Sequence, residues 1–336
     1  MAVRMKDIAD DLGVSLMTVS KALRNHSDIS EKTRDRVLKR MRELNYQPNW
    51  IARSMVTGRT YLVGLVLPDL MHSFFAEVAK GVARKLQPLG YQVVISDTGE
   101  DGEVERRQVA VLVNRKVDGL IVASAQHKGR LEQFRMLEAN QIPYVLIDRT
   151  LGGADANYVG VKDDDLGSLA TEHLIAQGCR RVAHIRGPAV GTGTGRLRGY
   201  RRALARHGIT PDPAYIVIGQ YGDNTGYQAM QQLLKTNPRP DGVFCYNDPV
   251  AAGAIKAILD ANLRVPEDIA VVGAGNVHYS DLLRVPLSTV DQSSALIGET
   301  AAEILCKCMD SRKPPAVQRI FIPPRLVVRD SSRRKD

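Results

Sequence analysis

Residues 13 to 23 read GVSLMTVSKAL, and the fold of the front of the chain turns on where the bulky pair Leu16 and Met17 points. Before this stretch Ile8, Ala9 and Leu12 share one helical face. Within it Val19, Ala22 and Leu23 share another, and beyond it Val37, Leu38, Met41 and Leu44 stripe a third. The Gly13-Val14-Ser15 break separates the first two periods; Ser15 is placed as N-cap of the second helix and Ser30 as N-cap of the third. Two short helices joined by a tight glycine-containing turn, with a third closing the core, predict a helix-turn-helix. At about 100° per residue, Val19, Ala22 and Leu23 define the buried side of the second helix, while Met17, Ser20, Lys21 and Arg24 point away from it. Leu16 lies between the two faces. Either the pair completes a small core, or it enters a DNA major groove, where apolar side chains touch thymine methyls and Lys21 reaches a guanine edge or a phosphate. Thr18, Ser20 and Asn25 are candidates for phosphate contacts, with helix-end capping as their alternative role.

Charge supports a polyanion partner for this segment. Of the net +9, residues 1 to 60 hold 12 Lys/Arg against 7 Asp/Glu, so the surplus is concentrated in the first fifth of the 336 residues. The 44% hydrophobic and 25% charged composition is that of a globular protein, and no apolar run approaches the roughly 18 residues of a membrane span. The front, MAVRMKDIADDLG, lacks the apolar stretch of a secretory signal, which predicts a cytoplasmic protein. Four cysteines (Cys179, Cys245, Cys306, Cys308) without a C-x-x-C pair, and seven scattered histidines, give no metal site; no cofactor is expected.

The runs MKDIADDLGVSLMTVSKALRN and ISEKTRDRVLKRMRELNYQPNWIARSM resemble the DNA-binding headpiece and hinge of the LacI/GalR family of transcription regulators, over residues 5 to 55 without a gap. The resemblance implies that Leu16, Met17 and Lys21 read bases. It also implies that the segment carrying Tyr46, Asn49, Ala52 and Met55 forms a hinge helix, which pairs with its dimer mate in the minor groove. Met55 stands where the family usually wedges a leucine between base pairs, and methionine is among the side chains proteins insert at such steps. The division expected is a headpiece over 1–47, a hinge over 48–60, a core over 61–330 and a free basic tail over 331–336.

From Tyr61 onward short β-rich runs alternate with helical ones, the pattern of an α/β fold with parallel sheets. YLVGLVLPD, YQVVIS, VDGLIVAS and IPYVLIDRT are echoed by RRVAHIRGP, AYIVIG, PDGVFCYND and DIAVVGAGN, so two similar lobes are expected. One spans about 61–160 and 292–320, the other about 161–290 and 321–330. Such sheets bind ligands beyond the carboxyl ends of their strands. Phe74, Phe75, Asp148, Arg149, Thr194, Arg196, Asn247, Asp248, Asn276 and Gln292 fall there. The alternatives are structural: Asp148 as a cap, Asn247 and Asp248 as a turn before a helix, the phenylalanines as core. The resemblance extends to about residue 328 and implies a periplasmic-binding-protein-like core, with Asp148, Arg196, Asn247 and Gln292 hydrogen-bonding an effector.

Two features bear on that effector. Where many relatives carry an aspartate after the VVG strand, this chain has Gly275 beside Asn276. GPAVGTGTGRLRG sets glycines and threonines ahead of Arg196, the composition of a cradle for negative charge, which suggests a sugar acid or sugar phosphate. The reading is therefore an allosteric, homodimeric repressor of a pseudo-palindromic operator, controlled by a sugar-like ligand. A solute sensor without operator specificity is the alternative. No nucleotide-binding glycine motif and no Ser/His/Asp arrangement point to an enzyme.

Overall fold

The computed structural model describes residues 3–23, 26–46, 54, 58–126, 130–152, 155–219, 224–311, 313 and 315–334. Contacts divide the chain into two units, residues 1–60 and 61–336.

The first unit holds α1 (Met5–Leu12), α2 (Leu16–Leu23) and α3 (Glu31–Glu43). Gly13 ends α1 at φ 62°, a left-handed turn that a side chain would strain, and Ser15 accepts the Thr18 N–H at 3.0 Å to start α2. Ser30 caps α3 in the same way through the Thr33 N–H. Ile8, Ala9, Val19, Ala22, Val37 and Met41 form the buried core, with Tyr46 packed at its edge. Leu38, expected on the apolar stripe of α3, lies at its margin and is exposed.

The second unit contains two six-stranded sheets. Its strands are β1 (Leu62–Leu67), β2 (Gln92–Asp97), β3 (Gly119–Val122), β4 (Tyr144–Ile147), β5 (Asn157–Gly160), β6 (Val182–Arg186), β7 (Ile216–Ile218), β8 (Gly242–Cys245), β9 (Ala270–Gly275), β10 (Ser288–Asp291), β11 (Arg319–Phe321) and β12 (Arg325–Val327). Their orders are β11-β5-β4-β3-β1-β2 and β12-β10-β9-β8-β6-β7, parallel except where β12 runs against β10. The central strands β1, β3, β4, β8 and β9 are apolar and buried along nearly their whole length, as parallel strands covered on both faces must be.

The covering helices are α4 (Ser73–Leu86), α5 (Gly102–Asn114), α6 (Glu132–Ala139), α7 (Asp163–Ala176), α8 (Gly191–Arg206), α9 (Thr225–Leu233), α10 (Asp248–Asp260) and α11 (Ser294–Asp310). The chain passes between sheets after β5, after β10 and between β11 and β12. None of the described helices is long and apolar enough to cross a membrane. All four cysteines are free thiols, Cys179 and Cys245 being buried.

The free basic tail expected over 331–336 is corrected by the structure for its described part. Ser331 and Ser332 are fully buried. Ser331 Oγ donates to the Val271 carbonyl at 2.6 Å, Ser332 Oγ lies 2.7 Å from His173 Nε2, and Arg334 donates to the Asp241 carbonyl at 2.7 Å. Hydroxyl and guanidinium donors of the tail thus add to the hydrogen bonds of carbonyls beside the second sheet.

Candidate functional site

In the headpiece, the side of α2 away from the core carries the two apolar side chains of the opening stretch. Leu16 is 52% exposed and Met17 60% exposed, so neither completes the core. The Thr18 hydroxyl is 2.9 Å from that of Ser15. Lys21 ends α2 beside Asp28, its Nζ 2.5 Å from Oδ2, while His26 Nδ1 lies 2.8 Å from Oδ1. Asn25, Asn49, Ala52 and Met55 lie outside the described residues.

In the second unit, the carboxyl ends of the strands of both sheets face a cavity of about 330 Å³, lined from one lobe by His72, Phe74, Phe75, Glu100, Asp148 and Arg149, and from the other by Arg196, Tyr246 and Asn247, with Gln292 at the crossing. Its volume sits at the low end of small-molecule pockets. Phe74 and Phe75 stand edge to face, centroids 5.1 Å apart. His72 caps α4, its Nδ1 accepting the Phe74 N–H at 3.3 Å, and its Nε2 lies 3.0 Å from Asn247 Nδ2 of the other lobe. Burial pushes the His72 imidazole down to about 4, so it is neutral at physiological pH.

Both guanidiniums in the cavity are already matched. Arg149 makes a bidentate pair with Glu100, 2.6 Å on each arm. Its Nε is buried without a hydrogen-bond partner, 3.7 Å from an Asp148 carboxylate oxygen. Arg196, 3% exposed, donates to Asp163 at 2.9 Å, to the Tyr246 carbonyl at 2.6 Å and to Gln292 Oε1 at 3.0 Å, and it lies over the Tyr246 ring. Burial disfavours its charge, but Asp163 overrides that and holds its pKa above the ordinary value. Asp148 sits at φ 60°, its carbonyl accepting the Tyr158 hydroxyl. Burial raises its carboxyl above the usual range, with Arg149 and Arg196 opposing.

A helix-turn-helix with an exposed apolar recognition face, joined in one chain to a two-lobed α/β unit with a polar cleft, narrows the family. The model of the lacI family of bacterial regulatory proteins matches residues 4–49, and that of the periplasmic binding protein-like domain matches residues 171–332. The chain belongs to the lacI family. It is 33% identical over 332 residues to the ribose operon repressor of Escherichia coli strain K12, covering 98% of this chain and 99% of that one. The ribose operon repressor of Halalkalibacterium halodurans is 32% identical over 335 residues, covering 98% of this chain and 97% of that one. Among solved structures, the lac repressor dimer bound to operator and the anti-inducer ONPF matches with a TM-score of 0.84 at 28% identity, over 99% of both chains. Like its family, this regulator joins a DNA-binding headpiece to a small-molecule sensor.

Of the residues expected around the effector, the fold of this lacI-family member gathers Phe74, Phe75, Asp148, Arg149, Arg196, Asn247 and Gln292 in the cleft. Three others do not line it. Thr194 is on the exposed side of α8. Asp248 is fully buried behind the cleft, accepting from Thr289 Oγ1 at 2.5 Å, Ser280 Oγ at 2.8 Å and the Val277 N–H at 3.0 Å. Asn276 receives Arg329 Nη2 at 2.9 Å.

The glycine-rich stretch is packed against neighbouring backbone. A Cβ on Gly193 would stand 2.1 Å from the Pro188 carbonyl oxygen, and one on Gly199 2.1 Å from that of Asp164. These glycines let backbones touch, chiefly where α8 packs on α7. Sequence reasoning missed His72, Glu100 and Tyr246. Tyr246 directly follows β8 beside Asn247 and His72 directly precedes α4, which are positional signals, whereas Glu100 lies in the loop between β2 and α5 with no such neighbour.

Proposed function

We propose that this regulator is a repressor that binds a pseudo-palindromic operator as a homodimer and releases or tightens its grip when a small neutral polyol, of about pentose size, occupies the cleft. Leu16, Met17 and Lys21 read bases in the major groove. Thr18, Ser20 and Asn25 position the helix on phosphates, and Tyr46, Asn49, Ala52 and Met55 serve the hinge. The exposure of Leu16 and Met17 on an otherwise polar face supports the first assignment. The lac repressor structure described as a dimer on its operator supports the second-order features. The chain is read as acting by binding, in keeping with the ribose operon repressors among its relatives.

The charge balance of the cleft carries the choice of ligand. Arg149 is neutralised by Glu100 and Arg196 by Asp163, while Asp69 and Asp148 also line the space. An anionic ligand would add charge where acids already match or exceed bases, whereas sugar hydroxyls can donate to the Asp148 carboxylate that lines the space. This favours a neutral sugar over the sugar acid or phosphate that the glycine-rich stretch suggests. The ribose operon repressors among the relatives point to the same class. Calorimetric titration of the full chain with D-ribose, a neutral hexose, an aldonic acid and ribose 5-phosphate tests it: a neutral sugar is expected to bind at least tenfold more tightly than either anion. Tighter binding of an anion overturns the proposal.

A further inference from the structure

The headpiece carries an acid where its chemistry least invites one. Asp28 lies in the loop between α2 and α3, next to the C-terminal end of the helix that bears Leu16, Met17 and Lys21. On a module built to meet a polyanion, a carboxylate there opposes binding to every phosphate nearby. The surrounding contacts hold it in one place. Arg34 of α3 donates to the carbonyls of His26 at 3.2 Å and Ile29 at 3.4 Å, bracketing the loop, and the His26 N–H returns to the Lys21 carbonyl at 3.1 Å. One Asp28 oxygen then faces His26 Nδ1 and the other faces Lys21 Nζ. Lys21, and after it His26, hold the Asp28 carboxyl below the usual range, so the acid is charged when DNA is met.

We infer that Asp28 is a specificity-determining residue: it pins the Lys21 ammonium at one site on the recognition face and withholds it from indiscriminate phosphate contact. The inference rests on the base-reading role proposed for Lys21. A lysine is a flexible point charge with no geometric preference of its own. Left free, it pairs with whichever phosphate is nearest, gaining affinity on all sequences alike. Fixed by Asp28, its remaining protons can be offered to one acceptor set, such as guanine O6 and N7. A phosphate away from that acceptor set draws on Lys21 only by interrupting the ion pair, so wrong sequences carry that cost without compensation. The exposed pair adds little to stability; its value lies in discrimination.

The experiment uses the full chain and a random duplex pool, with sequencing of the bound fraction for wild type, Lys21→Ala, Asp28→Asn and the double variant. A non-operator duplex is titrated at two salt concentrations alongside. Asp28→Asn is expected to relax base preference at the positions that Lys21→Ala relaxes, by about tenfold in the ratio of preferred to non-preferred base. It is also expected to tighten non-operator binding about three- to tenfold and to steepen the log-affinity against log-salt slope by about 0.9, one added phosphate contact. In the double variant, base preference matches that of Lys21→Ala alone. If Lys21→Ala leaves base preference untouched, the base-reading role itself falls and takes the inference with it. If Lys21→Ala relaxes preference while Asp28→Asn does not, the reading stands and the inference is wrong. The inference is equally overturned if Asp28→Asn acts undiminished without Lys21, because the acid then reads bases directly.

Discussion

The Lys21–Asp28 pair of α2 and the Arg149–Glu100 pair of the cleft both arrange charge, yet they keep it under opposite conditions. Lys21 and Asp28 meet in solvent, with side-chain exposures of 33% and 47%. Arg149 and Glu100 meet at 5% and 13%. Water screens the first pair, which therefore costs little to break. The second pair is desolvated, so removing one partner strands the other. On the proposed reading, a surface that meets DNA keeps labile pairs, and a cleft that holds a small ligand keeps buried ones.

The sharpest way to break this contrast is Glu100→Ala. It should destabilise the core by about 3–5 kcal/mol by leaving Arg149 buried and uncompensated, read as a fall in the urea midpoint. Asp28→Asn should stay within about 1 kcal/mol of wild type. Equal effects would dissolve the distinction.

A second test concerns the neutral histidine behind the cleft. His184 is fully buried, stacked on Phe244 with ring centroids 4.6 Å apart, its Nδ1 facing the Phe244 carbonyl at 2.9 Å and its Nε2 unpartnered. Burial lowers its pKa from 6.5 to about 3. The unfolded chain therefore takes up a proton that the folded chain refuses as pH falls below 6.5, and stability is lost progressively from there toward pH 3. His184→Phe should change stability at pH 7 by about 1 kcal/mol, the order of one hydrogen bond, and should lose less than wild type between pH 7 and pH 5. Denaturant midpoints at the two pH values decide it; parallel losses refute it.

The smallest effect on stability is expected for Met17→Gln on the exposed face of α2. Its urea midpoint should stay within about 0.5 kcal/mol of wild type, while the operator bases preferred from a random pool change. Unchanged preference would remove Met17 from the reading face.

Much of the headpiece was legible because its signals are local. Gly13, Ser15 and Ser30 punctuate the helices, and the three- and four-residue spacing of Ile8, Val19 and Val37 with their neighbours fixes which faces meet. The angle of Leu16 left two readings open; the exposure of its side chain removes the core reading. In the second unit the alternation of strand and helix gave the architecture, and strand ends gave seven of the cleft residues. Asp248 shows where that reasoning stops. It follows a strand directly after Asn247, yet its side chain turns inward to hold Ser280 and Thr289, while that of Asn247 meets the cleft. Neighbouring residues diverge there because the N-terminus of α10 points successive side chains in different directions.

The sequence by itself determined the elements, their order, and the separation of a basic reader from a nearly neutral sensor, since periodicity and composition act over a few residues at a time. Only the tertiary structure decided what the cleft's charges do. Arg149 finds Glu100 from 49 positions away and Arg196 finds Asp163 from 33, and the glycines around Arg196 lie against neighbouring backbone. A buried charge is defined by the partner that compensates it, and that partner is chosen by the path of the whole chain.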